Sequence, residues 1–144
     1  MSEISLNPAD WLPHRPPFLL LDTMVAIEPG RRATGLWTLH GDEWFFPGHF
    51  PGRPTAPGVL LLESIAQCGA VAVLADPAYS GLLPLFGGVE RARFRRQVVP
   101  GDTVTLECEM TRLSARGGKG HGTATVDGHV AVEADLLFVF ADAS

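Results

Sequence analysis

The chain has two kinds of hydrophobic pattern. Residues 58–75, "GVLLLESIAQCGAVAVLA", are apolar almost throughout, broken by Glu63 and Gln67 and bracketed by Pro57 and Pro77. Pro57 suits the first turn of a helix, so the run predicts one from Pro57 to about Ala75. The other segments alternate. "TVTLECEMTRLS" puts Val104, Leu106, Cys108 and Met110 on one face of a strand. "TATVDGHVAVEADLLFVF" is two strands joined at Asp127-Gly128, a strong hairpin signal. "LFGGVERARFRRQVV" alternates as a strand does, and "TMVAIEPGRRATGLWTLH" holds two extended runs around the turn "EPG". The glycine-rich "ARGGKGHG" reads as flexible or tightly bent. Residues 1–22 are Pro-rich and irregular, with one helical turn near Pro8 to Leu12. Gly41 to Pro57 holds three Gly and four Pro and reads as loop.

A helix apolar on nearly every side must be enclosed, and a curved sheet encloses it with one layer. The pattern therefore predicts an α+β chain forming a single domain, residues 1–144. One long central hydrophobic helix is wrapped by a curved, mostly antiparallel sheet of five to six strands.

Composition narrows the function classes. The 144 residues carry a net charge of -5, which argues against a general binder of nucleic acid or anionic membrane. Two cysteines, Cys68 and Cys108, offer neither a disulfide framework nor metal-ligand spacing and read as small buried hydrophobes. The N-terminus has no basic start and only the short apolar run "FLLL", so no secretory leader is expected. Glu63 and Gln67 make a buried core helix a better reading of residues 58–75 than a membrane span. The expectation is a soluble, cytoplasmic protein.

The candidate chemistry lies in "FFPGHFPGRPTAPGVLLLESIAQ", residues 45–67. His49 can take or give a proton near neutral pH, and the flanking Pro-Gly pairs restrict its ring. Gly58 and Val59 open the predicted helix, where unbonded N–H groups can hold a carbonyl oxygen as it gains charge. Glu63 and Gln67 are four apart, on one helix face. A carboxyl in an apolar helix must be paired or kept protonated, and a protonated one serves as a general acid. A neutral histidine with a neutral glutamic acid suits removal of a weakly acidic C–H proton and departure of a hydroxyl. On the residues alone, a structural histidine and a glutamate that is a satisfied polar group or an oligomer contact are the commoner readings. Spacing does not place His49 beside Glu63.

The same stretch resembles the active-site signature of the β-hydroxyacyl-[acyl carrier protein] dehydratases of the FabZ type, a hot-dog fold family. The likeness extends over "LPHRPPFLLLD", "GGVERARFRRQVVPGDTVTLECEM" and "GKGHGTATVDGHVAVEADLLF", roughly residues 11 to 140. It implies dehydration of a (3R)-3-hydroxyacyl thioester to the trans-2-enoyl form. His49 and Glu63 are then the catalytic pair, Gln67 positions the acid, and the N–H of Gly58 polarises the thioester carbonyl. In the family the histidine and the acid come from different subunits, so a homodimer is the catalytic unit, and three dimers often form a hexamer. The FabA-type relatives carry Asp where this chain has Glu63, and hot-dog thioesterases lack the histidine of "HFPG". Pro16, Ser64, Ile65 and Cys68 depart from the family pattern. Alternatives are the same dehydration in a polyketide or other specialised pathway, or a non-catalytic hot-dog partner subunit.

The implied partner is an acidic acyl carrier protein bearing substrate on a phosphopantetheine arm. Arg91, Arg93 and Arg95 on one strand face, with Arg96 on the other, are the candidate contacts; a solvated strand face is the competing reading. Phe45, Phe46 and Phe50 are candidates to line an acyl tunnel, though core packing accounts for each equally well. His14, His40, His121 and His129 match no ligand constellation. Imagined as metal ligands, His40, Asp42 and His49 are better explained by turn and loop chemistry. No metal and no cofactor are expected.

Overall fold

The computed structural model describes residues 3–142. Six strands, β1 (Thr23–Glu28), β2 (Arg32–Thr38), β3 (Leu82–Phe94), β4 (Thr103–Leu113), β5 (Gly117–Val126) and β6 (His129–Asp142), form one sheet in the order β1-β2-β4-β5-β6-β3. Every neighbouring pair is antiparallel. Among the described residues the one α-helix, α1 (Gly58–Leu74), lies across this sheet and contacts all six strands. The architecture is the hot-dog fold.

Packing explains the helix. From Leu61 to Leu74 every residue except Leu60's neighbour-but-two, Glu63, is buried, so α1 contributes core on all sides rather than one stripe. Val104, Leu106, Cys108 and Met110 of β4 face it, as their alternation predicts. Both cysteines are buried thiols, and burial pushes that of Cys108 up to about 12. The helix ends ahead of Pro77, whose preceding residue Asp76 caps a short 3₁₀ turn (Pro77–Tyr79). Pro57 is the N-cap, one position before the first turn. The expected early helical turn is a 3₁₀ turn, Pro8–Asp10. At the β5–β6 hairpin, Asp127 and Gly128 both have positive φ (50° and 79°), as a tight two-residue turn requires.

Two expectations are corrected. The segment "ARGGKGHG" is bent only at Ala115 and Arg116; Gly117 onward is strand β5. Its glycines serve close approach: a Cβ on Gly122 would lie 2.2 Å from Ile65 Cγ2 of the helix. The arginine strand also does not alternate as expected. On β3 the step from Glu90 to Arg93 faces only Asp135 to Glu133 on β6, so one extra residue bulges out, and Arg91 takes a φ of 52°. The strand then stops at Phe94, leaving Arg95 and Arg96 beyond it, both N–H groups donating to the Ala131 carbonyl. The two-faced arrangement of Arg91, Arg93, Arg95 and Arg96 therefore does not form.

The sheet edges are β1 and β3. Edge strand β3 is 13 residues long and exposes Leu85, Phe86, Val89 and Phe94. Among the described residues no helix is long and apolar enough to cross a membrane.

Candidate active site

His49 follows a 3₁₀ turn, Phe46–Gly48, and its N–H donates to the Phe46 carbonyl. Phe50 and Arg53 exchange backbone hydrogen bonds, and the Thr55 N–H donates to the His49 carbonyl (2.8 Å), so the Pro-Gly loop closes on itself. The Ala56 N–H then anchors it to the Val98 carbonyl (2.8 Å). His49 Nδ1 lies 2.7 Å from the Thr55 carbonyl oxygen. A carbonyl only accepts, so Nδ1 carries the hydrogen, and in the neutral ring the lone pair is on Nε2. The ring stacks on Phe50, centroids 4.0 Å apart.

His49 lines a cleft of about 410 Å³ with Gly58, Leu61, Phe94, Arg95 and Arg96. The Pro57 carbonyl takes the N–H groups of Leu60 and Leu61, so those of Gly58 and Val59, earlier in the first turn, have no intrahelical acceptor. A Cβ on Gly58 would lie 2.6 Å from the Phe94 ring, so glycine keeps this wall open.

Glu63 sits in a different cavity of about 280 Å³, with His14, Phe18, Gln67, Phe86 and Phe138. It lies five positions after Gly58, which turns it about 140° round the helix. Gln67 Nε2 donates to Glu63 Oε2 (2.9 Å) and to the Phe18 carbonyl (2.9 Å); its Oε1 accepts from the Leu20 N–H (2.8 Å). The Ser64 hydroxyl donates to the Leu20 carbonyl (2.7 Å). The N-terminal segment is thereby tied to the helix beside the acid. Within one chain His49 and Glu63 line separate cavities.

Other candidates are placed as follows. Phe45 is core, packed on Trp37, Trp44 and Phe46. Phe46 and Phe50 border a separate shallow depression, so none of the three phenylalanines lines the His49 or Glu63 cavity. The four arginines are exposed. Arg95 donates to Glu133 (2.6 Å) and holds its carboxyl below the usual range; a hydrogen bond from His121 (2.8 Å) does the same for Asp135. Arg91 lies 3.8 Å from Asp135, and Arg96 donates to the Val126 carbonyl. Among the described residues, no three His, Cys, Asp or Glu side chains gather as metal ligands would.

Sequence reasoning missed His14. Its Nε2 is 3.6 Å from Glu63 Oε2. Residue 14 lies in an irregular segment without periodicity, and only the tertiary fold brings it there. Thr55, whose carbonyl sets the His49 tautomer, was missed for the same reason.

Residues 12–135 match the family model for a FabA-like domain. The chain belongs to the FabA-like family. Among curated relatives of this family member, the 3-hydroxyacyl-[acyl-carrier-protein] dehydratase FabZ of Moorella thermoacetica is 56% identical over 127 residues, 88% of this chain and 89% of that one. The protein of the same name from Herpetosiphon aurantiacus is 51% identical over 131 residues, 91% of this chain and 93% of that one. Among solved structures, the dehydratase heterocomplex ApeI:P from Xenorhabdus doucetiae shares the fold with a TM-score of 0.79 at 19% identity, covering 96% of this chain and 93% of that one.

Proposed function

We propose that this FabA-like protein is a 3-hydroxyacyl-[acyl-carrier-protein] dehydratase of fatty-acid biosynthesis, a hydro-lyase that eliminates water to give the trans-2-enoyl thioester. The observation that carries this reading is 56% identity to a curated dehydratase over nearly nine-tenths of both chains. The geometry supplies a matching mechanism. His49 Nε2, its lone pair fixed by the Nδ1–H bond to Thr55, removes the proton next to the thioester carbonyl. The N–H groups of Gly58 and Val59 stabilise the oxygen as charge develops. Glu63 protonates the departing hydroxyl, held by Gln67.

The acid of each site comes from a second copy, a reading supported by His49 and Glu63 lining separate cavities of one chain. Edge strand β3 suits the pairing: long, apolar and with open backbone groups, it borders the Glu63 cavity through Leu85 and Phe86 and the His49 cleft through Phe94. A homodimer is the catalytic unit, and three dimers in a hexamer are the further assembly. The partner is an acidic acyl carrier protein in the cytoplasm, met by Arg91, Arg93, Arg95 and Arg96, of which Arg95 and Arg96 reach the rim of the His49 cleft. The substrate's phosphopantetheine arm belongs to the carrier, and the chemistry calls for no cofactor.

Kinetics of His49→Ala and Glu63→Gln test the reading. Each should lower dehydration at least ~10²-fold while the far-UV spectrum stays native, with full wild-type activity in EDTA. Turnover near wild type by either variant would overturn it.

A further inference from the structure

The Glu63 carboxyl is not symmetric in its surroundings. Oε2 accepts from Gln67 Nε2 at 2.9 Å and faces His14 Nε2 at 3.6 Å, while no described residue bonds Oε1. His14 itself is constrained. Its Nδ1 is buried and has no hydrogen-bond partner among the described residues. A hydrogen there would be a buried donor without an acceptor, the costlier arrangement, so the hydrogen sits on Nε2, the nitrogen that faces Glu63. The backbone on either side is held firmly: Arg15 Nη1 donates to the carbonyls of Leu12 and His14, both at 2.7 Å, and Pro13, Pro16 and Pro17 restrict the chain.

We infer that His14 is a positioning residue of the acid: with Gln67 it presents a second N–H to Glu63 Oε2, so that the proton delivered to the leaving hydroxyl is carried on Oε1. The step starts with the transferable proton on Glu63 Oε1. As the C–O bond breaks, the Oε1 proton moves to the departing oxygen to form water, the proton from carbon rests on His49, and Glu63 becomes a carboxylate. The two N–H groups on Oε2 then face a full negative charge, and both contacts become charge-assisted. The His14 contact is long at rest and shortens as that charge develops. Its contribution is thus larger in the transition state than in the ground state, which places the effect on kcat rather than on KM.

The inference rests on Glu63 being the acid, and the experiment separates the two claims. His14→Phe keeps a ring of similar size and removes the N–H. His14→Gln keeps an N–H donor at similar reach. His14→Ala leaves room for added imidazole. With carrier-bound 3-hydroxyacyl substrate, His14→Phe should lower kcat about tenfold or more with KM little changed. His14→Gln should recover most of that loss, and imidazole should raise kcat of His14→Ala in a saturable way that wild type and Glu63→Gln do not show. Wild-type kcat in His14→Phe would overturn the inference. So would equal losses in the Phe and Gln variants without imidazole rescue, which would leave His14 a packing residue. If His14→Phe does not fold, the Gln and Ala variants decide alone. Wild-type activity in Glu63→Gln would instead overturn the assignment of the acid.

Discussion

Replacing Gln67 with leucine separates what this side chain does for the fold from what it does for the acid. Gln67 is 1% exposed and makes three hydrogen bonds, to the Leu20 N–H, the Phe18 carbonyl and Glu63 Oε2. Leucine is near in size but makes none. The Leu20 N–H, bonded only through Gln67 Oε1 in a buried site, is left without an acceptor, at about 1–3 kcal/mol. The Phe18 carbonyl and the Glu63 carboxyl are part-buried and can reach water, at about 0.5–1 kcal/mol each. Burying an alkyl group in place of an amide returns about 1 kcal/mol. The net loss is about 1–4 kcal/mol, or about 3–12 °C in thermal midpoint for a chain of this size. Ser64→Ala is the comparison, because it frees the same Leu20 segment by losing one bond (2.7 Å) and leaves Glu63 alone. Thermal unfolding by circular dichroism at matched protein concentration should show the larger drop for Gln67→Leu. Dehydratase assays well below both midpoints should show kcat falling about tenfold for Gln67→Leu and little for Ser64→Ala. A midpoint drop under about 2 °C would refute the stability reasoning. Equal kcat losses would assign the effect to the Leu20 segment instead of the acid.

Two further predictions concern charge. Changing Arg93 and Arg95 together to Glu should raise KM for carrier-bound substrate and leave a small carrier-free thioester almost unaffected; the effect should shrink with salt, because exposed charges are screened beyond about 8 Å at physiological ionic strength. An unchanged KM would leave these arginines as a solvated face. Part-burial works against the charge of Glu43, but the N–H groups of His40 (3.0 Å) and Gly41 (2.8 Å) outweigh it and hold the carboxyl below its ordinary 4.5. A depressed native value means that the stabilisation is complete above 4.5 and is lost as pH falls through the native value. Glu43→Ala should therefore melt lower than wild type at pH 7, with the difference closing as pH falls through the depressed native value; a constant difference from neutral to acid pH would contradict this.

The helix, the β4 alternation and the Asp127-Gly128 hairpin were legible in the sequence because each is written in local pattern. An apolar run between prolines, period-two alternation and a turn pair all act over a few residues. The glycines of β5 were misread because glycine marks both flexibility and close approach. Only the helix above Gly122 decides which, and Ile65 is far away in sequence. The arginines of "VERARFRRQ" were placed on two faces by simple alternation, which the bulge near Arg91 breaks. Site chemistry divides in the same way. Glu63 and Gln67 share a helix face and could be paired from spacing. The Thr55 carbonyl at His49 and the His14 ring at Glu63 come from irregular segments with no period to follow. The separation of His49 and Glu63 into two cavities depends on how a loop meets the helix start, which no local pattern encodes.

The most direct test of the shared site is complementation between two inactive variants. His49→Ala and Glu63→Ala protein, mixed, unfolded mildly and refolded together, form hybrid dimers in which one site has both native residues and the other has neither. The mixture should recover up to roughly half of wild-type activity per hybrid dimer, while each parent refolded alone shows only its residual turnover of at most about a hundredth. A mixture no more active than its parents, despite mass-spectrometric evidence that hybrid dimers formed, would contradict a site built from two chains, as would a monomer with full activity.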